Sequence, residues 1–175
     1  MAIPRQRRSL GELLEAAQAS ITRWTPEDAA VALDQGATLI DIRSDLDRER
    51  DGLVPGSLHI PRTVLEWRLA PDSGWRTPYA PDLDAQVIVM CDHGCSSVLA
   101  AATLIDLGFA RAGDVIGGYA AWRTARLVTV PAPKDPRGPG EVPGMRAPHG
   151  EGVGGDALRW PSSSSTEPAI GPPAT

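Results

Sequence analysis

The strongest constraint on this chain's fold is the apolar run Val87-Ile88-Val89-Met90, closed by Cys91 and followed by the polar loop Asp92-His93-Gly94-Cys95-Ser96-Ser97. A short apolar run bounded by turn residues reads as a buried strand. The small-residue pattern Val98-Leu99-Ala100-Ala101-Ala102-Thr103-Leu104 then reads as a helix. Strand, tight loop and helix in succession put the Cys91 thiol at the carboxyl end of a strand, in a nest of backbone N–H groups. The start of a helix carries partial positive charge, so a thiolate there is stabilised and becomes a usable nucleophile. The alternative is a buried structural thiol, and position alone does not separate the two.

The rest of the chain alternates in the same way. Leu10, Leu13, Leu14 and Ala17 recur at helical spacing over residues 9–20, which predicts a helical arm over the first twenty residues. Ile21 to Trp24 reads as a short strand. Thr25-Pro26-Glu27-Asp28 is a helix start, with a capping hydroxyl, proline in the first turn and acidic residues behind it. That helix carries Ala29, Ala30, Val31 and Leu33 and stops at Gly36. Strands are expected over 37–42, 57–60, 87–90 and 114–116, and helices over 97–107 and just after Gly117-Gly118. Alternation of strands and helices predicts an α/β domain over residues 21–130 with parallel pairing and right-handed crossovers. From Pro131 to Thr175 proline, glycine and serine dominate and no apolar period survives, so a disordered tail is expected there, with Trp160 as a stray exposed aromatic.

Composition closes off other classes. With 175 residues, of which 42% are hydrophobic, the chain can bury one core. A net charge of −5 argues against nucleic acid or an anionic membrane surface as partner. No stretch is long and apolar enough to cross a bilayer. Arg5, Arg7 and Arg8 are followed by Ser9-Leu10-Gly11-Glu12 rather than an apolar run, so no secretory signal is read. Two cysteines in one loop are no disulfide framework, and a reducing cytoplasm is the expected compartment.

Four segments, in order, resemble the rhodanese family at single-domain scale, over roughly residues 20 to 130. Leu39-Ile40-Asp41-Ile42-Arg43 is similar to the family's strand ending in Asp-x-Arg. Gly52-Leu53-Val54-Pro55-Gly56-Ser57-Leu58-His59-Ile60-Pro61 is similar to its Gly-x-Ile-x-Gly-Ala-x-x-Ile-Pro segment. Val89-Met90-Cys91-Asp92-His93-Gly94 resembles its strand and the start of the active-site loop, and Gly117-Gly118-Tyr119-Ala120-Ala121-Trp122 its closing segment. The resemblance implies a rhodanese-like parallel sheet with helices on both faces. It implies transfer of a sulfane sulfur through a Cys91 persulfide, from thiosulfate or a small or protein persulfide to a thiol or cyanide. Such covalent catalysis needs no cofactor or metal.

The loop residues then acquire expected roles. Gly94 permits the tight turn, and Ser96 and Ser97 cap the following helix and donate inward. His93 tunes the substrate edge rather than acting as a base. Rhodaneses often carry arginine five residues after the cysteine, where this chain has Ser96. Loss of that cation weakens thiosulfate binding and raises the thiol pKa relative to relatives that have it. Arg43, Arg62 and Arg68 are the candidates for replacement charge. Cys95 has three open roles: resolving the persulfide, protecting Cys91 by a disulfide, or standing by. Cys91, His93 and Cys95 offer only three zinc ligands in one crowded loop, which disfavours a metal site. A related group of phosphatases requires arginine where this chain has Ser97. The remaining alternative to a sulfurtransferase is a non-catalytic binding or thiol-redox sensing module using Cys91 and Cys95.

Overall fold

The computed structural model describes residues 7–132. In chain order it contains helix α1 (Leu10–Ser20), strand β1 (Thr22–Trp24), helix α2 (Pro26–Asp34), strand β2 (Thr38–Asp41), helix α3 (Asp45–Asp51) and strand β3 (Leu58–His59). A 3-10 turn (Arg62–Val64) then leads into helix α4 (Leu65–Leu69), strand β4 (Gln86–Met90), helix α5 (Ser96–Asp106), strand β5 (Arg111–Val115) and helix α6 (Gly118–Thr124). The strands form one sheet in the order β1-β5-β4-β2-β3, with every pairing parallel. The expected α/β class and rhodanese-like architecture are present.

The sheet is covered on both faces, and the period-2 alternation of β4 shows how. Val87 and Val89 point into a core with Ile40, Leu65, Leu69, Ala100, Ala101 and Leu104. Ile88 and Met90 point the other way, into a core with Ala29, Leu39, Tyr119 and Trp122. Val87 to Met90 are all fully buried, which is why the strand reads as a continuous apolar run. Cys91 keeps the alternation and joins the α4/α5 side.

Helix starts follow their caps. Ser9 forms a capping box with Glu12 ahead of α1, and Thr25 accepts the Asp28 N–H ahead of α2. Helix α1 packs on α5 and buries Ala17, so the N-terminal arm lies on its own domain.

Several boundaries differ from the sequence reading. Helix α3 was not anticipated, because Asp-Leu-Asp-Arg-Glu-Arg-Asp has no apolar period. Its signals are the Ser44 cap, which accepts the Asp47 N–H, and Gly52 at its end. The turn and helix over Arg62–Leu69 also lie outside the expected elements; Leu65 and Leu69, one helical turn apart, are the helix's buried anchors. Strand β5 starts at Arg111, before the expected Asp114, and ends at Val115. The reading of a disordered tail, including Trp160, falls from residue 133 onward outside the described residues, as does Arg5.

Three glycines set the carboxyl end of β4 against the start of α6. Gly94, Gly117 and Gly118 all have positive φ, at 74°, 71° and 61°. A Cβ on Gly118 would run into the Cys91 carbonyl oxygen and lie 2.7 Å from the Gly94 nitrogen. Gly56, with φ 75°, has open space around the same position. In urea denaturation Gly56→Ala is therefore expected to lose only the left-handed backbone cost, about 1–2 kcal/mol. Gly118→Ala loses clearly more. Equal losses would show that the contact between the loop and α6 contributes nothing.

Candidate active site

Cys91 leaves the end of β4 and is 6% exposed, whereas Cys95 is exposed on the loop surface. The Cys91 Sγ accepts the Gly94 N–H at 3.1 Å and donates to the Ser97 Oγ at 3.3 Å. Gly94 adopts a left-handed conformation that turns its N–H back onto the sulfur, which explains the glycine. The loop is pinned from behind. The Tyr119 N–H donates to the Cys91 carbonyl at 2.8 Å, and the Ala120 N–H to the Asp92 carbonyl at 2.9 Å. These are orphan donors of the α6 start, satisfied by the loop rather than by a side-chain cap.

Burial pushes the Cys91 thiol up. The Ser97 and Ser96 hydroxyls and the backbone N–H groups of Ser97 and His93 pull it down and prevail, so it lies below its ordinary value. The start of α5 adds its dipole in the same direction. The thiol is therefore buried and acidified at once.

The serines depart from the expected capping role. The N-cap of α5 is Cys95, which makes no side-chain cap, and neither Ser96 nor Ser97 takes that part. Ser97 is fully buried and donates its hydroxyl to Asp114 Oδ2 at 3.1 Å. Asp114, on β5, is fully buried and accepts Arg23 Nε at 2.9 Å and a second guanidinium N–H at 3.1 Å. Neither Asp114 nor Arg23 was a candidate from sequence. Parallel β1–β5 pairing brings Arg23 opposite Asp114.

Among the sequence candidates, Arg43 is 3% exposed and belongs to the sheet's interior. Its guanidinium binds Asp41 at 2.7 Å, donates to the Gly52 carbonyl at 2.9 Å and lies 3.5 Å over the Tyr119 ring. The Asp-x-Arg segment is thus a buried structural pair, and Arg43 supplies no open charge at the loop. Arg62 pairs with Glu66 one helical turn on, at 2.7 Å, and Arg68 donates to the Trp75 carbonyl at 3.0 Å. His93 is exposed and pairs with Asp92 at the loop surface, at 3.1 Å. Cys95 Sγ lies 3.9 Å from the His93 carbonyl oxygen. His59 is packed: its Nε2–H donates to the Arg43 carbonyl at 2.9 Å, and burial and the nearby Arg48 lower its pKa. Among the described residues no group of three or more His, Cys, Asp or Glu side chains is placed to hold a metal. No described helix is long and apolar enough to cross a membrane.

A parallel α/β sheet with an acidified cysteine at the tip of its central strand, in a loop of inward N–H groups, defines a class of cysteine-loop domains. The sequence profile described as "Rhodanese-like domain" matches residues 25–125, and the chain belongs to that family. It is 37% identical over 102 residues to the thiosulfate sulfurtransferase GlpE of Pseudomonas fluorescens (strain SBW25), covering 58% of this chain and 84% of that protein. GlpE of Stutzerimonas stutzeri (strain A1501) is also 37% identical, over 101 residues, with the same coverage. Among solved structures, a Rhodopseudomonas palustris CGA009 protein described as of unknown function, a possible tyrosine phosphatase, superposes with TM-score 0.66 at 32% identity. That match covers 74% of this chain and all of the other. The polysulfide-sulfur transferase homodimer of Wolinella succinogenes superposes with TM-score 0.57 at 27% identity, covering 70% of this chain and 93% of its own.

The Ser97 hydroxyl is the foremost of the groups that lower the pKa of the Cys91 thiol. In a Cys95→Ser background, the pH profile of iodoacetamide alkylation is expected to have its midpoint below that of an ordinary thiol. Ser97→Ala moves that midpoint up, because burial remains and a donor is lost. A midpoint unmoved by Ser97→Ala would show that backbone donors alone acidify Cys91.

Proposed function

We propose that this protein is a sulfurtransferase that carries a sulfane sulfur as a persulfide on Cys91, within the domain of residues 21–130. The observation that carries the proposal is the Cys91 sulfur itself: buried, acidified, and facing the Gly94 N–H and the Ser97 hydroxyl. Relatives named thiosulfate sulfurtransferase at 37% identity support the reading.

In the first step the Cys91 thiolate attacks the outer sulfur of a donor. A new S–S bond forms as the donor's own breaks, and the donor residue leaves with the electron pair, as sulfite from thiosulfate or as a thiolate from a persulfide. In the second, an acceptor thiolate or cyanide takes the outer sulfur, and the Cys91 thiolate is regenerated. The inward N–H groups of residues 92–97 stabilise the charge present before, between and after the two displacements. No external oxidant or reductant enters. Small molecules or proteins serve as donor and acceptor.

Phosphoryl transfer fits this site poorly. Ser97 stands where a guanidinium clamp is required, and it leads to a buried carboxylate rather than a cation. Cys95, exposed and directed toward the His93 carbonyl, is assigned no part in loading. Asp92 and His93 shape the mouth of the loop.

Intact mass spectrometry of the reduced protein, after incubation with thiosulfate and separately with a small persulfide, tests this directly. The expected result is a gain of one sulfur that is removed by cyanide, is absent in Cys91→Ser and persists in Cys95→Ser. No adduct from either donor, with loss of two hydrogens on mild oxidation that requires both cysteines, would replace the transferase by a thiol switch.

A further inference from the structure

The Ser97 hydroxyl has a single proton and two claimants. It donates to Asp114 Oδ2 at 3.1 Å while accepting from the Cys91 thiol at 3.3 Å. That arrangement suits the neutral thiol. When Cys91 ionises, its proton leaves to solvent and the sulfur becomes an acceptor only. Ser97 serves the thiolate only by turning its hydroxyl away from Asp114. A fully buried carboxylate resists losing a donor. Here the loss is small, because Arg23 continues to hold both carboxylate oxygens, at 2.9 and 3.1 Å.

We propose that Arg23 and Asp114 are positioning residues for the Cys91 sulfur, acting through Ser97: the pair governs which partner the single hydroxyl proton serves. Arg23 satisfies Asp114 and so releases the hydroxyl to the sulfur; Asp114 reclaims it when the thiol is neutral. The inference deepens the assignment of Cys91 as the reacting thiol and concerns the state of its sulfur before any donor arrives.

The geometry supports this beyond a structural ion pair. Arg23, Asp114 and Ser97 come from β1, β5 and the first turn of α5, and they converge beneath the loop. Asp114 is opposite Val89 in the β4 register, and Val89 shares the core cluster of Cys91. Arg23 is partly open to solvent, with 26% of its side chain exposed, so its far side remains hydrated. Other ionisable groups near the loop include Asp92 and His93, paired with each other at its surface, the exposed Cys95, Arg50 of α3, which interacts with Asp92, and, behind the loop, Tyr119 of α6 with Arg43 over its ring. None of these changes between the variants compared below.

The test is the pH profile of iodoacetamide alkylation of Cys91, with every variant in a Cys95→Ser background and checked for native circular dichroism. Asp114→Asn weakens the competing acceptor, so the profile moves to lower pH and the rate at neutral pH rises by about threefold or more. Arg23→Gln leaves the carboxylate without its cation, so the profile moves to higher pH and the neutral rate falls by a similar factor; Arg23→Lys restores part of it. Adding Ser97→Ala to either variant removes most of the difference, as expected of groups coupled through one hydroxyl. Shifts in the same direction for Asp114→Asn and Arg23→Gln, or shifts undiminished by Ser97→Ala, would overturn the proposal. If Asp114→Asn does not fold, the partly exposed Arg23 pair of variants decides alone. Alkylation needs no sulfur donor. A profile that moves as described in a protein that never takes up sulfur would therefore uphold this inference and reject only the transferase reading.

Discussion

The close approach between the cysteine loop and the first turn of α6 (Gly118–Thr124) is the contact on which the site depends. Two α6 donors bind the carbonyls of Cys91 and Asp92, and the glycines at 94, 117 and 118 are the residues that let the two backbones meet. The arrangement fixes the loop from outside the sheet while β4 fixes it from within. The loop's own N–H groups are then free to face the sulfur. A side chain at position 118 would separate the two segments and leave donors on one side and carbonyls on the other without partners.

Among the described residues, two separate buried networks handle charge near the site. Asp41, Arg43 and Tyr119 tie the end of β2 to α6, and the Arg43 guanidinium also ties α6 to the segment after α3 through the Gly52 carbonyl. Removing one member of such a pair strands a buried charge and costs about 3–5 kcal/mol, so this network belongs to folding. Arg23, Asp114 and Ser97 form the other, on the α5 side of the sheet, and it ends on the Cys91 sulfur. The two networks have similar members and different ends: Arg43 ends on backbone and an aromatic ring, Arg23 leads through Asp114 and Ser97 to the Cys91 sulfur.

Much of this was legible in the sequence. The apolar run of β4, the thiol at its end, the caps at Thr25 and Ser9, and the paired glycines at 117 and 118 all report local requirements, and local requirements leave local signatures. What escaped was non-local or charged. Helix α3 buries Arg48 rather than an apolar stripe, so no periodicity announces it. The inward turn of Ser97 depends on the helix beginning one residue earlier than a serine cap would place it. The Arg23–Asp114 pair joins residues 91 positions apart and exists only because β1 lies beside β5 in the sheet order. Nothing local in either segment advertises it. Arg43, Arg62 and Arg68 lie near the motifs that point to replacement charge, whereas the cation tied to the thiol's own network sits on β1, at the opposite edge of the sheet.

The sulfur at the tip of β4 is the one proposed to carry cargo. The most direct measurement is a crystal structure of the protein after treatment with thiosulfate or a small persulfide. The expected result is one additional sulfur bonded to Cys91 Sγ and lying among the backbone N–H groups of residues 92–97, with Cys95 a free thiol. Additional sulfur on Cys95 alone, or a Cys91–Cys95 disulfide in place of either, would contradict it.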